Sequence, residues 1–168
     1  IEQTAGGLTM SQEKILLSIC VPTYNQAGAV RKLLESLLPQ YVPQIEILIR
    51  DDSENNETEK IVSELGKALP IQYFRGKKEG IDGALIFLTE QARGSFIWWI
   101  GDDVMHLGAI QRVLTLIEGH QDLSFIWVNS HDIEDKDALT IKDRRCYFFS
   151  SRDEVLEMEI GLLGFITA

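Results

Sequence analysis

Five short apolar runs, separated by four stretches of helical periodicity, constrain this 168-residue chain more than any other feature. The runs are Leu16–Val21, Ile45–Ile49, Ile71–Phe74, Phe96–Ile100 and Leu123–Val128. Short continuous apolar runs of this kind predict strands buried on both faces. Between the first two, Val30, Leu33, Leu34, Leu37 and Leu38 recur at helical spacing and form a single stripe. Ile61, Val62, Leu65 and Leu69 make a second stripe. Ile81, Leu85, Leu88 and Ala92 make a third, and Ile110, Val113, Leu114 and Ile117 a fourth. Pro22 is expected to end the first strand and Pro39 to close the first helix. Asn56, with Glu59 three residues later, predicts a capping box, and Gly94 is expected to stop the third helix. Repeated strand–helix alternation predicts an α/β fold: a three-layer α/β/α arrangement around a mainly parallel sheet.

The first nine residues read as a leader or expression remnant before Met10, and residues 10–168 as one domain. The segment from Asn129 to Arg145 is polar and reads as loop or edge hairpin, and Ser151 with Glu154 predicts a second capping box before a short helix. The apolar ending from Ile160 to Ala168 reads as the start of an element, which suggests a domain cut short at its C-terminus. The net charge of −10 argues against a broad nucleic-acid surface but not against a phosphorylated ligand bridged by a metal. No apolar run reaches the ~20 residues that span a bilayer, and no signal peptide is evident. Cys20 and Cys146 suggest neither a disulfide framework nor a zinc site, so a cytoplasmic location fits.

Two strands end in paired aspartates, Asp51-Asp52 and Asp102-Asp103. Open α/β sheets bind ligands outside the carboxyl ends of their strands, so both pairs are delivered to the expected crevice. A carboxylate after the second strand can accept hydrogen bonds from a base N–H or a ribose hydroxyl; a solvated turn is the alternative. Asp102 and Asp103 follow the very apolar Trp98-Trp99-Ile100, and hard oxygen ligands there suit Mg2+ or Mn2+ carried with a substrate phosphate. Pro22, Thr23, Tyr24 and Asn25 occupy the first strand-to-helix turn; hydroxyls and an aromatic face could meet a nucleoside, or Asn25 or Gln26 could simply cap the helix. Gly80-Ile81-Asp82-Gly83 opens the third helix, where Asp82 serves as a cap or contacts a sugar hydroxyl. Arg75, Lys77 and Lys78 precede it as phosphate partners or as a solvated basic loop. His106, His120 and His131 have no metal-ligand spacing, and Trp98 and Trp99 are expected to pack on opposite faces of the sheet.

Three segments together resemble the family-2 glycosyltransferases with the GT-A fold. They are Ser18-Ile19-Cys20-Val21-Pro22-Thr23-Tyr24-Asn25, Ile47-Leu48-Ile49-Arg50-Asp51-Asp52-Ser53, and Ala92-Arg93-Gly94-Ser95-Phe96-Ile97-Trp98-Trp99-Ile100-Gly101-Asp102-Asp103. The Trp-rich strand before Gly-Asp-Asp is most similar to the branch related to abequosyltransferases of O-antigen assembly. The resemblance implies a nucleotide-diphospho-sugar donor, an inverting transfer to a saccharide or lipid-linked acceptor, and a role in cell-surface polysaccharide or lipopolysaccharide synthesis. It implies a cytoplasmic enzyme, at the inner face of the membrane where the acceptor is lipid-linked. It places the nucleoside on Thr23, Tyr24 and Asp52, with Asp51 beside it, and the metal–diphosphate on Asp102, followed by Asp103. The first aspartate of the family's Asp-x-Asp motif falls on Ile100 or Gly101, and an asparagine near the start of the third helix falls on Ala84. Those departures bear on metal affinity and on the ribose contact. The catalytic base of the family lies in a later motif, and no residue of this chain is assigned to it.

Two other readings stay open. Ile47 to Ser53 also resembles the strand and acidic pair of a receiver-like signalling domain, and a non-catalytic interaction module on the same fold would tolerate the altered metal motif.

Overall fold

A computed structural model describes residues 14–101, 103–120, 122, 124–127 and 165–167. Strand β1 (Leu17–Thr23) leads into α1 (Ala27–Leu37), and β2 (Ile45–Asp51) into α2 (Glu57–Leu65). Then follow β3 (Ile71–Arg75), α3 (Gly80–Gln91), β4 (Phe96–Trp99), α4 (Ala109–Gly119), β5 (Phe125–Trp127) and β6 (Phe165–Thr167). The sheet order is β3-β2-β1-β4-β6-β5. The first four strands run parallel, and β6 is antiparallel to both β4 and β5.

Every residue of β2 is buried, as expected of a central parallel strand covered on both faces. One face carries the main core: Ile19, Ile47 and Trp98 of the sheet meet Val30, Leu33, Leu34 and Leu37 of α1, Ile61 and Val62 of α2, and Ile110 and Val113 of α4. Each such side chain contributes about 1.5–3 kcal/mol by leaving water. The opposite face is thinner: Cys20 and Leu48 meet Leu88 of α3, with Phe74, Phe87 and Trp99 packed around them. Trp98 and Trp99 therefore do face opposite layers.

Five local expectations are corrected. Pro22 lies inside β1, paired with Arg50 of β2, rather than ending the strand. The Cys20 carbonyl accepts from Ile100 N–H on the β4 side, and Pro22, two residues on, faces that same side after pairing with β4 has ceased. Its missing N–H therefore costs no ladder bond. The Asn56–Glu59 capping box does not form: Asn56 makes no side-chain cap bond, and Asn55 Oδ1 instead accepts from Glu57 N–H at 2.9 Å. Asp82 does not cap α3, whose N-cap is Glu79; it sits in the first turn, where negative charge suits the helix dipole. The stripe read on α3 is rotated, because Ala84 and Leu88 are its buried residues while Ile81 is 67% exposed. Apolar residues on several faces of α3 blur its periodicity.

Gly94 does not stop α3, which ends at Gln91, but closes the turn into β4 against β1. Its N–H donates to Ser18 Oγ at 2.8 Å, and a Cβ there would lie 2.6 Å from both Ser18 N and Ser18 Oγ. Ser18 Oγ in turn donates to Glu46 Oε1 at 2.7 Å. Glu46 also receives Arg93 N–H, Arg93 Nε and Gln72 Nε2. Burial alone would raise its carboxyl, but hydrogen bonds from Ser18 and from Arg93, with the charge of Arg93, outweigh it and hold the group below the ordinary 4.5. Beside it, burial and then the charge of Glu46 push the Cys20 thiol up to about 12. This clasp ties the starts of β1, β2 and β3 to the entry of β4, and so fixes where the other end of β4 delivers its residues.

The expected leader, the polar segment 129–145, the capping box at Ser151 and Glu154, Cys146 and His131 lie outside the described residues. So do Leu123 and Val128, which flank β5. Among the described residues, no helix is long and apolar enough to cross a membrane.

Candidate functional site

Helices α1 and α2 cover one face and α3 the other, so the chain switches faces as the strand order passes from β1 to β4. Such switch points open crevices at the carboxyl ends of the strands. Here β1 lies between β2 and β4, so the Asp51-Asp52 end and the Gly101–Asp103 end flank Thr23 and Tyr24. Asp103 is exposed; Asp102 lies outside the described residues.

Asp51 and Asp52 have separate surroundings. Asp51 is 0% exposed. Its Oδ1 accepts from Ser53 N–H at 2.9 Å, and its Oδ2 from Tyr73 OH at 2.7 Å and Arg75 Nη1 at 3.5 Å. Both oxygens are thus engaged in holding the loop after β2 to β3. Burial, opposed by the bond to Arg75 and reinforced by the Asp51 carboxylate, pushes the Tyr73 hydroxyl up to about 12, so it stays a donor. Asp52 is 7% exposed. Its Oδ1 accepts from Arg50 Nε at 2.7 Å, while Oδ2, among the described residues, has only a 3.4 Å contact from Glu79 N–H. Spare acceptor capacity therefore sits on Asp52.

The β1 turn is fastened to this loop by the main chain. Asp52 N–H donates to the Thr23 carbonyl at 3.0 Å, and Asn25 N–H to Ser53 Oγ at 2.7 Å. Asn25 adopts φ 55°, a left-handed conformation that asparagine tolerates better than most residues. Gln26 rather than Asn25 is the N-cap of α1, without a side-chain cap bond. Pro22 is half-buried in β1. Thr23 Oγ1 is buried with no partner among the described residues. Tyr24 donates to Glu54 at 3.4 Å, and its ring carries Lys78 Nζ at 4.4 Å from the centroid. Of the basic loop, Arg75 is thus bound to Asp51 and to the Ser53 carbonyl, and Lys78 to Tyr24. Asp82 is exposed at the start of α3.

Arg50, Gly76 and Phe87 escaped the sequence reading. Arg50 is 6% exposed, and its guanidinium lies 4.5 Å from the Phe87 ring centroid. A Cβ on Gly76 would collide with Arg50 and Asp52. The signal available was an arginine continuing an apolar strand run, which demands a buried partner.

The family model for Glycosyl transferase family 2 matches residues 18–159. The chain belongs to that family. This family-2 domain, a parallel four-strand sheet with flanking helices, has the GT-A fold of the solved glycosyltransferases it superposes on. Staphylococcus aureus TarS 1-349 in complex with UDP-GlcNAc superposes with a TM-score of 0.62 at 23% identity, over 70% of this chain and 36% of that one. The mannosyltransferase PcManGT from Pyrobaculum calidifontis, in complex with GDP-Man and Mn2+, gives 0.59 at 15% identity, over 68% and 35%. In sequence, the GalNAc(5)-diNAcBac-PP-undecaprenol beta-1,3-glucosyltransferase of Campylobacter jejuni is 32% identical over 90 residues, 52% of this chain and 29% of that protein. The chain spans between 16% and 38% of the curated relatives it matches.

Proposed function

We propose that this domain binds a nucleotide-diphospho-sugar and that the whole protein transfers its sugar, with inversion, to an acceptor hydroxyl. The observation that carries the reading is the edge shared by β1 and β2. There the Thr23 hydroxyl, without a partner among the described residues, and the Asp52 carboxylate belong to two strand ends joined by the Asp52 N–H to Thr23 carbonyl bond, and Tyr24 follows directly on Thr23. Thr23, Tyr24 and Asp52 would hold the nucleoside, with Pro22 and Asn25 shaping the turn. Asp51 would act by fixing the loop, and Asp82 would face the sugar from the start of α3.

The described residues contain no cluster of three potential metal ligands. Mg2+ commonly takes one or two carboxylates together with substrate phosphates, so such a site needs no larger cluster of protein ligands. Asp103, exposed after β4, and Asp102 would supply those carboxylates to Mg2+ or Mn2+. The metal, when bound, supplies Lewis-acid stabilisation of the diphosphate leaving group. The acceptor oxygen forms a bond to the anomeric carbon as the bond to the diphosphate oxygen breaks. The acceptor proton passes to a base that no described residue is assigned to provide, and the nucleoside diphosphate departs.

A role in cell-surface polysaccharide or lipopolysaccharide synthesis, at the cytoplasmic face of the membrane, agrees with the undecaprenol-linked acceptor named for the C. jejuni relative. The receiver-like reading loses its footing in the topology: receivers order their strands 2-1-3-4-5, whereas here β3 lies beyond β2, β4 rather than β3 flanks β1, and an antiparallel β6 stands between β4 and β5. Calorimetric titration with UDP, CDP, GDP and dTDP, each with and without Mn2+, tests the proposal. Metal-dependent binding of one nucleotide, lost in Asp102→Ala, is expected. Binding of none would favour the non-catalytic module.

A further inference from the structure

We propose that Arg50 is a positioning residue for nucleotide recognition, fixing Asp52 so that one carboxylate oxygen is reserved for a donor group on the base. The inference rests on the reading that Asp52 meets the nucleoside.

Arg50 is the last residue but one of β2, and Asp52 lies just past the strand end, so alternation puts both on the α3 side. Arg50 Nε donates to Asp52 Oδ1 at 2.7 Å, and Arg50 Nη2 reaches Glu79 Oε2 at 3.4 Å. The guanidinium plane is backed by Phe87, which is itself held edge-on by Phe74 with 5.1 Å between ring centroids. Gly76 admits the pair, because any side chain there would overlap both Arg50 and Asp52. Glu79 and Phe87 therefore hold the guanidinium, Gly76 leaves room for it, and the guanidinium fixes one carboxylate oxygen.

Oδ1 takes the short bond from Arg50, which leaves Oδ2, met among the described residues only by the longer 3.4 Å contact from Glu79 N–H, as the freer acceptor. Its complement is a base edge carrying an N–H. Uracil and thymine present an imide N–H, and cytosine presents a bare ring nitrogen at the same place. Cytosine's own N–H donors sit on its exocyclic amine, so an acceptor fixed opposite the ring nitrogen would be left unpaired by cytosine, which is costly. Without Arg50, Asp52 loses its fixed orientation and with it this discrimination.

The test is calorimetric titration of the full chain with UDP and with CDP, in Mn2+, for the wild type, Asp52→Asn, Arg50→Met, Arg50→Lys and Gly76→Ala. The wild type is expected to prefer UDP by at least about tenfold. Asp52→Asn, Arg50→Met and Gly76→Ala are each expected to bring the two affinities within about threefold, with Arg50→Lys intermediate. Equal weakening of both nucleotides in Arg50→Met and Gly76→Ala, with the preference kept, would reduce the pair to scaffold and overturn the inference. If Asp52→Asn keeps the preference, or the wild type shows none, the reading of Asp52 fails first. Should Arg50→Met not fold, Gly76→Ala and Arg50→Lys decide the matter, because both retain the buried positive charge.

Discussion

The Glu46 carboxylate, at the start of β2, receives the Arg93 guanidinium at 2.8 Å and the Arg93 amide at 2.6 Å, although 47 residues separate the two in the chain. This contact gives the Arg93-Gly94 segment before β4 a physical task. It pins the entry of β4, whose far end carries the second acidic pair. Replacing Arg93 with Ala is expected to cost about 2 kcal/mol, because Glu46 stays buried with fewer donors; urea unfolding measures it.

The same carboxylate sets an acid dependence. Its folded-state value lies below the ordinary 4.5, so the folded chain binds that proton less readily than the unfolded chain. The stability it lends is present above pH 4.5 and is lost as pH falls through the depressed folded value. Glu46→Gln is expected to be less stable at pH 7 and to show a shallower loss below pH 4.5 when melting temperature is followed against pH.

Tyr73 predicts the opposite limb. Its hydroxyl is raised from 10.0 to about 12, so the folded chain keeps a proton that the unfolded chain releases. The corresponding stability is complete below pH 10 and drains away between pH 10 and about 12. Tyr73→Phe should remove that alkaline slope and cost about 1.5–3 kcal/mol at neutral pH, since Asp51 loses a short hydrogen bond. Phenolate absorbance should show one tyrosine ionising late in the wild type only.

Two glycines should respond in opposite directions. Gly94→Ala places a Cβ against Ser18 backbone and is expected to destabilise by about 1–3 kcal/mol or more. Gly28→Ala, in the first turn of α1 with open space around it, should stabilise by about 0.5–1 kcal/mol through helix propensity. Paired denaturant curves check both, and a neutral Gly94→Ala would refute the close approach.

Asp103 should separate binding from stability. Its exposure predicts a change within about 0.5 kcal/mol for Asp103→Asn. Mn2+-dependent nucleotide affinity in the same variant should fall about tenfold, read by titration at fixed metal concentration.

The local pattern alone determined the α/β class, the strands β1 to β5 in outline and the helices α1, α2 and α4, because burial on both faces writes a short continuous apolar run and burial on one helix face writes a 3.6-residue spacing. The end of β2 in Asp51-Asp52 was legible for the same local reason. Tertiary structure decided what the spacing could not carry. It rotated α3 so that Ala84 and Leu88 face the sheet, since that helix is apolar on several sides and offers no single stripe. It placed Pro22 inside β1, because whether a missing N–H matters depends on which neighbour strand stands opposite. It also divided Asp51 from Asp52. Adjacent residues in an extended chain point to opposite faces, and only the surrounding donors, Tyr73 and Arg75 on one side and Arg50 on the other, determine which carboxylate has an oxygen to spare.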